Sequence, residues 1–439
     1  MDYKKLVNCI YLKNGKAIKG LKDDTVVSED PVALAQSYSN YGSDMLMIFD
    51  FSNNDEEHNE ALNIIRAIGR AVDIPMIGAG NVKRLEDIKK LLYAGCIKAC
   101  LNLSKKENAA IAEEVCKRFG KEKIAACINT IDELKANDVI IKNFVSEIIL
   151  LDETIIDDAF RFQAESNKGN NIPNYVGILP VLADKELFDM AAYIRQYEGV
   201  VGLAGGRIDL DPSLIMKLKA QIKGFGIPVQ LYEPKLSWSD LKKNSDGMVP
   251  VIVQDYKDKD VLMMAYMNEE AYKKTCDTGV MTYFSRSRNE LWVKGETSGH
   301  YQYLKSLSAD CDNDTLLARV LQVGAACHTG QRSCFFNEII KKDYRSINYM
   351  NVLEKEYNAI LDRKKNPKEG SYTNYLLDKG MDKILKKVGE ECTEIIIAAK
   401  NPDSEEIKYE LADFLYHAMV MMVERDVTWD DVMGEISQR

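Results

Sequence analysis

Over its first 235 or so residues the chain alternates short apolar runs with amphipathic stretches, the pattern of strand and helix units built around a parallel sheet. Eight runs qualify as strands: Lys5–Leu12, Asp44–Asp50, Ile74–Gly78, Ala99–Leu103, Ile124–Ile128, Glu147–Leu151, Tyr175–Leu179 and Val200–Leu203. Between the third and fourth, Leu85–Ala94 sets Ile88, Leu91 and Leu92 at helical spacing. Eight such units predict a (β/α)8, TIM-like barrel over residues 1–235. The polar stretch 236–249, LSWSDLKKNSDGMV, is rich in turn formers and reads as a linker. The pattern then changes to strands VPVIVQD, VMTYFSRS and ELWVKGE separated by turns, with short helices expected at Asn268–Cys276 and Leu316–Val323. This predicts a central α+β domain over 250–345. Beyond it the segments Met350–Arg363, Tyr372–Leu377, Met381–Lys400 and Ser404–Arg425 are helical in pattern, and Pro402, Asp403 and Glu406 read as a capping box opening the last. The chain is therefore expected to be multidomain, closing with an all-α domain over 350–439.

A length of 439 residues agrees with about three domains. No apolar run approaches the ~20 residues that span a bilayer, and MDYKKLVNCIYL lacks the apolar core and cleavage site of a secretory signal. No membrane partner and a cytoplasmic location are the expectations. Ten cysteines in a chain this long are too dilute for a disulfide scaffold. Cys9, Cys96, Cys100, Cys116, Cys127, Cys276 and Cys392 lie singly in apolar or helical contexts and read as buried thiols; Cys311, Cys327 and Cys334 cluster. A net charge of -10 disfavours nucleic acid as a partner. An acidic protein that handles phosphates usually recruits divalent metal to offset the repulsion.

The densest chemistry is DCDND at 310–314, followed by ACHTG at 326–330 and SCF at 333–335. If 310–314 is extended, a period of two sets Asp310, Asp312 and Asp314 on one face, suited to Mg²⁺, and Cys311 on the other. An EF-hand is excluded, because Thr315 stands where that loop needs Gly and Leu321 where it needs Glu. Three thiolates leave a zinc position for water, and zinc-bound water can attack an electron-poor ring carbon, the chemistry of hydrolytic ring opening. The plain alternative is three buried thiols beside an acidic loop. His328 fits a fourth ligand, a proton carrier or a hydrogen-bonded structural group.

Residues 250–340 resemble the phosphoribosyl-AMP cyclohydrolases through LMMAYMN at 262–268, WVKGETSGH at 292–300, DCDND, QVGAACHTG at 322–330 and SCFF. That resemblance implies zinc on Cys311, Cys327 and Cys334, and Mg²⁺ on Asp310, Asp312 and Asp314 near the substrate phosphates. It makes WVKGETSGH the substrate-holding segment. There Lys294 could pair with a phosphate, Gly295, Ser298 and Gly299 would lie against substrate, and Glu296, His300 and the neighbouring His328 are the candidate proton-transfer groups. Trp292 fits a core role as well as base stacking. The family reaction adds water across N1 and C6 of the adenine ring. Its members are dimers in which one chain supplies the cysteine of the DCD segment and the partner the other two, so a homodimer is expected.

In the helical region, Glu390, Glu391 and Glu394 lie at i, i+3 and i, i+4 spacing, and Glu410 with Asp413 repeats the arrangement on the next helix. Any one pair can be a solvated acidic face; two pairs bracketing an apolar seam could hold a divalent ion. With SYTNYLLDKG at 371–380, KKVGEECTE at 386–394, AAKN at 398–401 and ELADFLYH at 410–417, the region resembles the phosphoribosyl-ATP pyrophosphohydrolases. By that resemblance the five carboxylates hold Mg²⁺, Glu391 is catalytic, and Lys387 and Lys400 contact phosphate. His417 reads as structural. The two activities implied are consecutive, since the product of one is the substrate of the other.

The barrel resembles the cyclase subunit of imidazole glycerol phosphate synthase through NGKAIKG at 14–20, DPVALAQSYSNYGSDMLMIFD at 30–50, IPMIGAGNVKRLEDIKKLLYAG at 74–95 and GIPVQL at 226–231. Where those barrels carry acids at the ends of strands one and five, this chain has Tyr11 and Asn129, neither a carboxylic acid. The phosphate turn is reduced to Gly78-Ala79-Gly80-Asn81, while Gly205-Gly206 could still present amides. Asp50 remains. A barrel that has lost its activity is the expectation. Two rival readings stand: a zinc-bearing scaffold with a phosphate-binding barrel, and a helical domain that hydrolyses noncanonical nucleoside triphosphates.

Overall fold

A computed structural model describes residues 3–20, 22–166, 177–182, 187–196, 200–340, 352–401 and 404–437. The residues form two compact units, Met1–Glu338 and Ile339–Arg439. Of the expected elements, Tyr175 and Val176, Met350 and Asn351, and the Pro402–Asp403 cap lie outside the described residues.

In the first unit β1 (Lys5–Lys13) is followed by a hairpin, β2 (Lys16–Gly20) and β3 (Asp23–Ser28), that the sequence pattern did not announce. Seven parallel strands then follow: β4 (Met45–Asp50), β5 (Met76–Ala79), β6 (Lys98–Asn102), β7 (Ile124–Ile128), β8 (Glu147–Leu150), β9 (Gly177–Leu182) and β10 (Gly202–Gly205). Each pairs with the next, and β1 pairs with both β4 and β10, which closes the ring. The eight-stranded barrel is thus as expected. Alternation along β1 explains its two cores. Leu6, Ile10 and Leu12 pack with helix residues such as Ile65 and Leu91, whereas Val7, Cys9 and Tyr11 pack with other strands inside the ring.

The buried pair Lys219–Asp44 (2.5 Å) ties the helix Ile215–Gly224 to the turn entering β4, with Asp44 also accepting from the Leu6 amide. Burial raises the Asp44 carboxyl and lowers the Lys219 amine, each opposed by the other's charge. Lys219→Ala strands a buried carboxylate and is expected to cost about 3–5 kcal/mol. Urea unfolding of the full chain checks this; a loss under about 1 kcal/mol, the level of an exposed pair, would contradict it.

Residues ahead of β4 and β5 and after the last barrel helix hold the central domain. The Tyr232 hydroxyl donates to the Leu304 carbonyl at 2.9 Å, Lys305 pairs with Asp73 at 2.7 Å, and Tyr41 meets Tyr303 edge-on at 5.7 Å. The domain therefore sits on the N-terminal rim of the barrel, away from the strand ends that carry active sites in such folds.

The central sheet runs in the order β12-β11-β16-β15, from β11 (Val249–Asp255), β12 (Val261–Met267), β15 (Gln302–Ala309) and β16 (Leu316–Gln322). The hairpin β13 (Thr282–Ser285) and β14 (Glu290–Val293) stands beside it. The helix Glu269–Thr278 starts on an Asn268 cap and stops at Gly279, whose φ of 71° is left-handed. The presumed linker puts Leu241 and Trp238 into this core. Two expectations fail. Leu316–Val323 is not a helix: it forms β16, with Leu316, Ala318 and Val320 buried in alternation between β11 and β15. Good helix formers here yield to sheet partners on both sides. Nor is 310–314 extended. It is a turn, with Asn313 at φ 63° and the Asp310 side chain accepting from the Asp314 and Thr315 amides.

The second unit contains helices Val352–Lys365, Tyr372–Lys379, Met381–Ala398, Ser404–Glu424 and the unforeseen Trp429–Ser437. Ser371 caps the second, and Gly380 at φ 76° divides it from the third. Tyr357, Ile360, Leu376, Ile384, Val420 and Val423 make its core.

Candidate active sites

On the helix Met381–Ala398, the i, i+3 spacing brings Glu391 and Glu394 to one face. Glu410, on the following helix, joins them, with carboxylate oxygens of the three within 4.8 Å of one another. Glu391 is buried. Burial lifts its carboxyl above the usual range, Glu394 and Asp413 add to this, and His417 and Lys387 oppose it. Desolvation and a hydrogen bond with Glu394 lift Glu410 likewise. Asp413 is close enough to raise both, so four of the five expected carboxylates share one field. Glu390 does not join them. It pairs with Lys387 at 2.7 Å and Lys386 at 3.4 Å, and these bonds hold its carboxyl below the usual range. Lys400 is exposed just past the helix end.

Buried His417 donates from Nδ1 to the Asp413 carbonyl at 2.9 Å and lies 3.4 Å from Glu391 Oε1. Its Nε2 then accepts from the Tyr372 hydroxyl at 3.2 Å. Tyr372 lies in the SYTNY segment, but its place at this site is not legible in the sequence, because only the fold brings residue 372 beside residue 417.

In the central domain Cys327 and Cys334 come together. The hydroxyl and amide of Thr329 hold the Cys327 thiol below its usual range, and Cys334 also bonds to it. Burial and Cys327 raise Cys334. Backbone bonds from Ala326 to Arg332 and from Cys327 to Gln331 shape the loop, and the Cys334 amide fixes it to Leu262 at 2.7 Å. Arg332 clamps it to Asp255 and Asp258. Lys294 is buried, donates to the His300 carbonyl at 3.2 Å, and feels the charge of both cysteines; burial lowers its amine.

Gly295 has φ 95°, and a Cβ there would lie 2.4 Å from the Tyr301 amide nitrogen, so the glycine serves a close backbone approach. Gly324, which sequence reasoning passed over, does the same for the His300 ring, 2.6 Å from the Cβ it lacks. Glu296, Ser298, Gly299 and His328 are exposed. Trp292 packs on the domain core, its ring 5.1 Å from that of Tyr283.

Cys311, in the exposed turn, stands apart from this pair. Among the described residues, two groups of three His, Cys, Asp or Glu have ligand atoms within 4.8 Å of one another: Glu391–Glu394–Glu410 and the exposed Asp310–Asp312–Asp314. Desolvation works against Asp310, but the Thr315 and Asp314 amides outweigh it and hold its carboxyl low. Lys242 reaches Asp312 at 3.2 Å.

Inside the barrel, Tyr11 stacks on Phe49 at 5.0 Å and on Phe51 at 6.2 Å. Aromatic rings fill the mouth where the related barrels hold an acid. Asn129 is tied to Glu133 through its amide at 2.8 Å.

Residues 263–336 match the family model of phosphoribosyl-AMP cyclohydrolase, residues 354–439 that of phosphoribosyl-ATP pyrophosphohydrolase, and residues 5–153 that of a histidine biosynthesis protein. The two C-terminal matches, each over one of the centres just described, make this a bifunctional hydrolase. The histidine biosynthesis bifunctional protein HisIE of Thermoanaerobacter pseudethanolicus is 53% identical over 210 residues, 45% of this chain and 97% of the relative. That of Bacillus subtilis is 49% identical over 201 residues, 46% of this chain and 95% of the relative. The chain belongs to the histidine biosynthesis bifunctional protein family, carrying in addition a barrel similar to the cyclase subunit. No helix among the described residues is long and apolar enough to cross a membrane.

Proposed function

We propose that the helical unit hydrolyses phosphoribosyl-ATP to phosphoribosyl-AMP and pyrophosphate, and that the central domain then opens the adenine ring of the product between N1 and C6. The observation that carries the reading is the convergence of Glu391, Glu394 and Glu410, with Asp413 beside them. Carboxylates crowded in this way suit a hard divalent cation, whose charge would offset their mutual repulsion. When bound, magnesium would offset the triphosphate charge and zinc would supply a nucleophile of hydroxide strength near neutral pH. His417 and Tyr372 hold Glu391 in place, and Lys387 is at hand for a phosphate. In the central domain Thr329 favours the Cys327 thiolate, Lys294 keeps positive charge beside the thiols, and His300, fixed against Gly324, moves a proton at the ring nitrogen.

Only two zinc thiols meet in one chain, which supports a homodimer in which Cys311 of a second copy completes the set. An apolar surface beside Cys334 agrees with such a contact. Phe335 and Phe336 are exposed, as are Ile252 and Met264, which pair across β11 and β12. The barrel takes part in neither reaction on this reading, its mouth being filled by Tyr11, Phe49 and Phe51.

The full chain, supplied with zinc and magnesium, is expected to release pyrophosphate from phosphoribosyl-ATP and then to change the ultraviolet absorption of the base. Ordinary dNTPs should be turned over at least about a hundredfold more slowly, as for a site built to bond groups they lack. Equal turnover of dNTPs would transfer the helical unit to nucleotide sanitation.

A further inference from the structure

The barrel's C-terminal rim holds a small cavity of about 130 Å³ between the segments that follow β4 and β5. Three cations line it, Lys83, Arg84 and Lys90, against two carboxylates, Asp55 and Asp87. Asp87 is occupied, accepting from the Lys83 and Arg84 amides at 3.0 Å each. Lys83 and Lys90 have no ion pair among those seen in the described residues. Behind them, buried His58 is held by its Nδ1 on Asp50 at 2.5 Å, and its Nε2 is buried with no hydrogen-bond partner. A buried ring nitrogen with no hydrogen-bond partner is costly unless a polar ligand group can reach it.

The backbone is closely fitted here as well. Gly80 has φ 90°, with a missing Cβ that would fall 2.1 Å from the Asp50 carbonyl oxygen, and Asn81 is left-handed at φ 48°. The Asn81 side chain bonds the Ser52 carbonyl at 2.8 Å, locking the two segments together. A left-handed non-glycine residue such as Asn81 persists where surrounding structure enforces it, commonly at ligand sites. The volume is well below the roughly 300–1,000 Å³ of pockets for drug-sized ligands, and suits one tetrahedral anion.

We propose that this cavity is an oxyanion site that takes the phosphate group of a small phosphate monoester, bound by Lys83, Arg84 and Lys90 with His58 at its floor. It gives the barrel a ligand independent of both hydrolytic centres and of the plugged mouth. Arg84 supplies a planar fork for two oxygens and the lysines supply point charges.

Calorimetric titration of the full chain tests this, in chelator so that no metal-bound phosphate contributes, with inorganic phosphate and glycerol phosphate as separate probes. Saturable binding is expected, weakened at least about tenfold in the double variant Lys83→Ala, Arg84→Ala, as for the loss of two charge-assisted bonds. Both residues are exposed, so that variant should fold. The charge-matched control Lys105→Ala, Lys106→Ala, on exposed positions outside the cavity, should bind as before. Tighter binding of glycerol phosphate identifies the ester as the ligand; equal affinity identifies the free anion. Absence of saturable binding, or equal weakening in the control and the cavity variant, overturns the site.

Discussion

Glu391→Gln is expected to reduce pyrophosphate release by at least about a hundredfold, the upper end of what is lost when groups that merely orient a metal ligand are removed, while ring opening of phosphoribosyl-AMP continues. Glutamine keeps the shape of the side chain but removes a buried negative charge lying among Glu394, Glu410 and Asp413. Burial above all, with Glu394 and Asp413 adding to it, holds this carboxyl above its usual range against His417 and Lys387. A raised carboxyl means that ionisation near neutral pH works against folding, so the variant should unfold at no lower urea concentration than the parent. Cys334→Ser should do the opposite, ending ring opening and sparing pyrophosphate release, because the thiol pair lies in the other compact unit. Loss of both activities in either folded variant would refute independent centres.

Mixing two dead variants, Cys311→Ser and Cys327→Ser, should restore about a quarter of the ring-opening sites, since about half the dimers are mixed and each then has one intact site of two. The expectation follows from the separation of Cys311 from the Cys327–Cys334 pair in a single chain and from the exposed apolar residues beside Cys334. Each homodimer carries a lesion in both sites; the mixed dimer collects both lesions in one. The measurement is ring opening in the presence of zinc after co-refolding, with subunit exchange shown by mixed tags. Exchange without recovery would mean that the thiols of one chain suffice, and the shared-site dimer would fall.

What the sequence alone determined is the periodic part of this protein. Strand and helix units of the barrel, and four helices of the last unit, follow from where apolar residues recur, because burial on one face imposes a period of two or 3.6 wherever the element lies. The acidic pairs at i, i+3 were legible for the same reason. The tertiary structure decided what neighbours impose. Leu316–Gln322 has the composition of a helix and became a strand because β11 and β15 offer it hydrogen bonds on both edges. The turn at Asp310–Asp314 exists because a side chain caps its own backbone, an option that periodicity does not register. Glu390 left the carboxylate group because two lysines one turn earlier were nearer partners. Tyr372 beside His417, Gly324 under His300 and His58 on Asp50 join residues far apart in sequence or on different elements, and such meetings are set by packing, which one chain's local pattern does not encode.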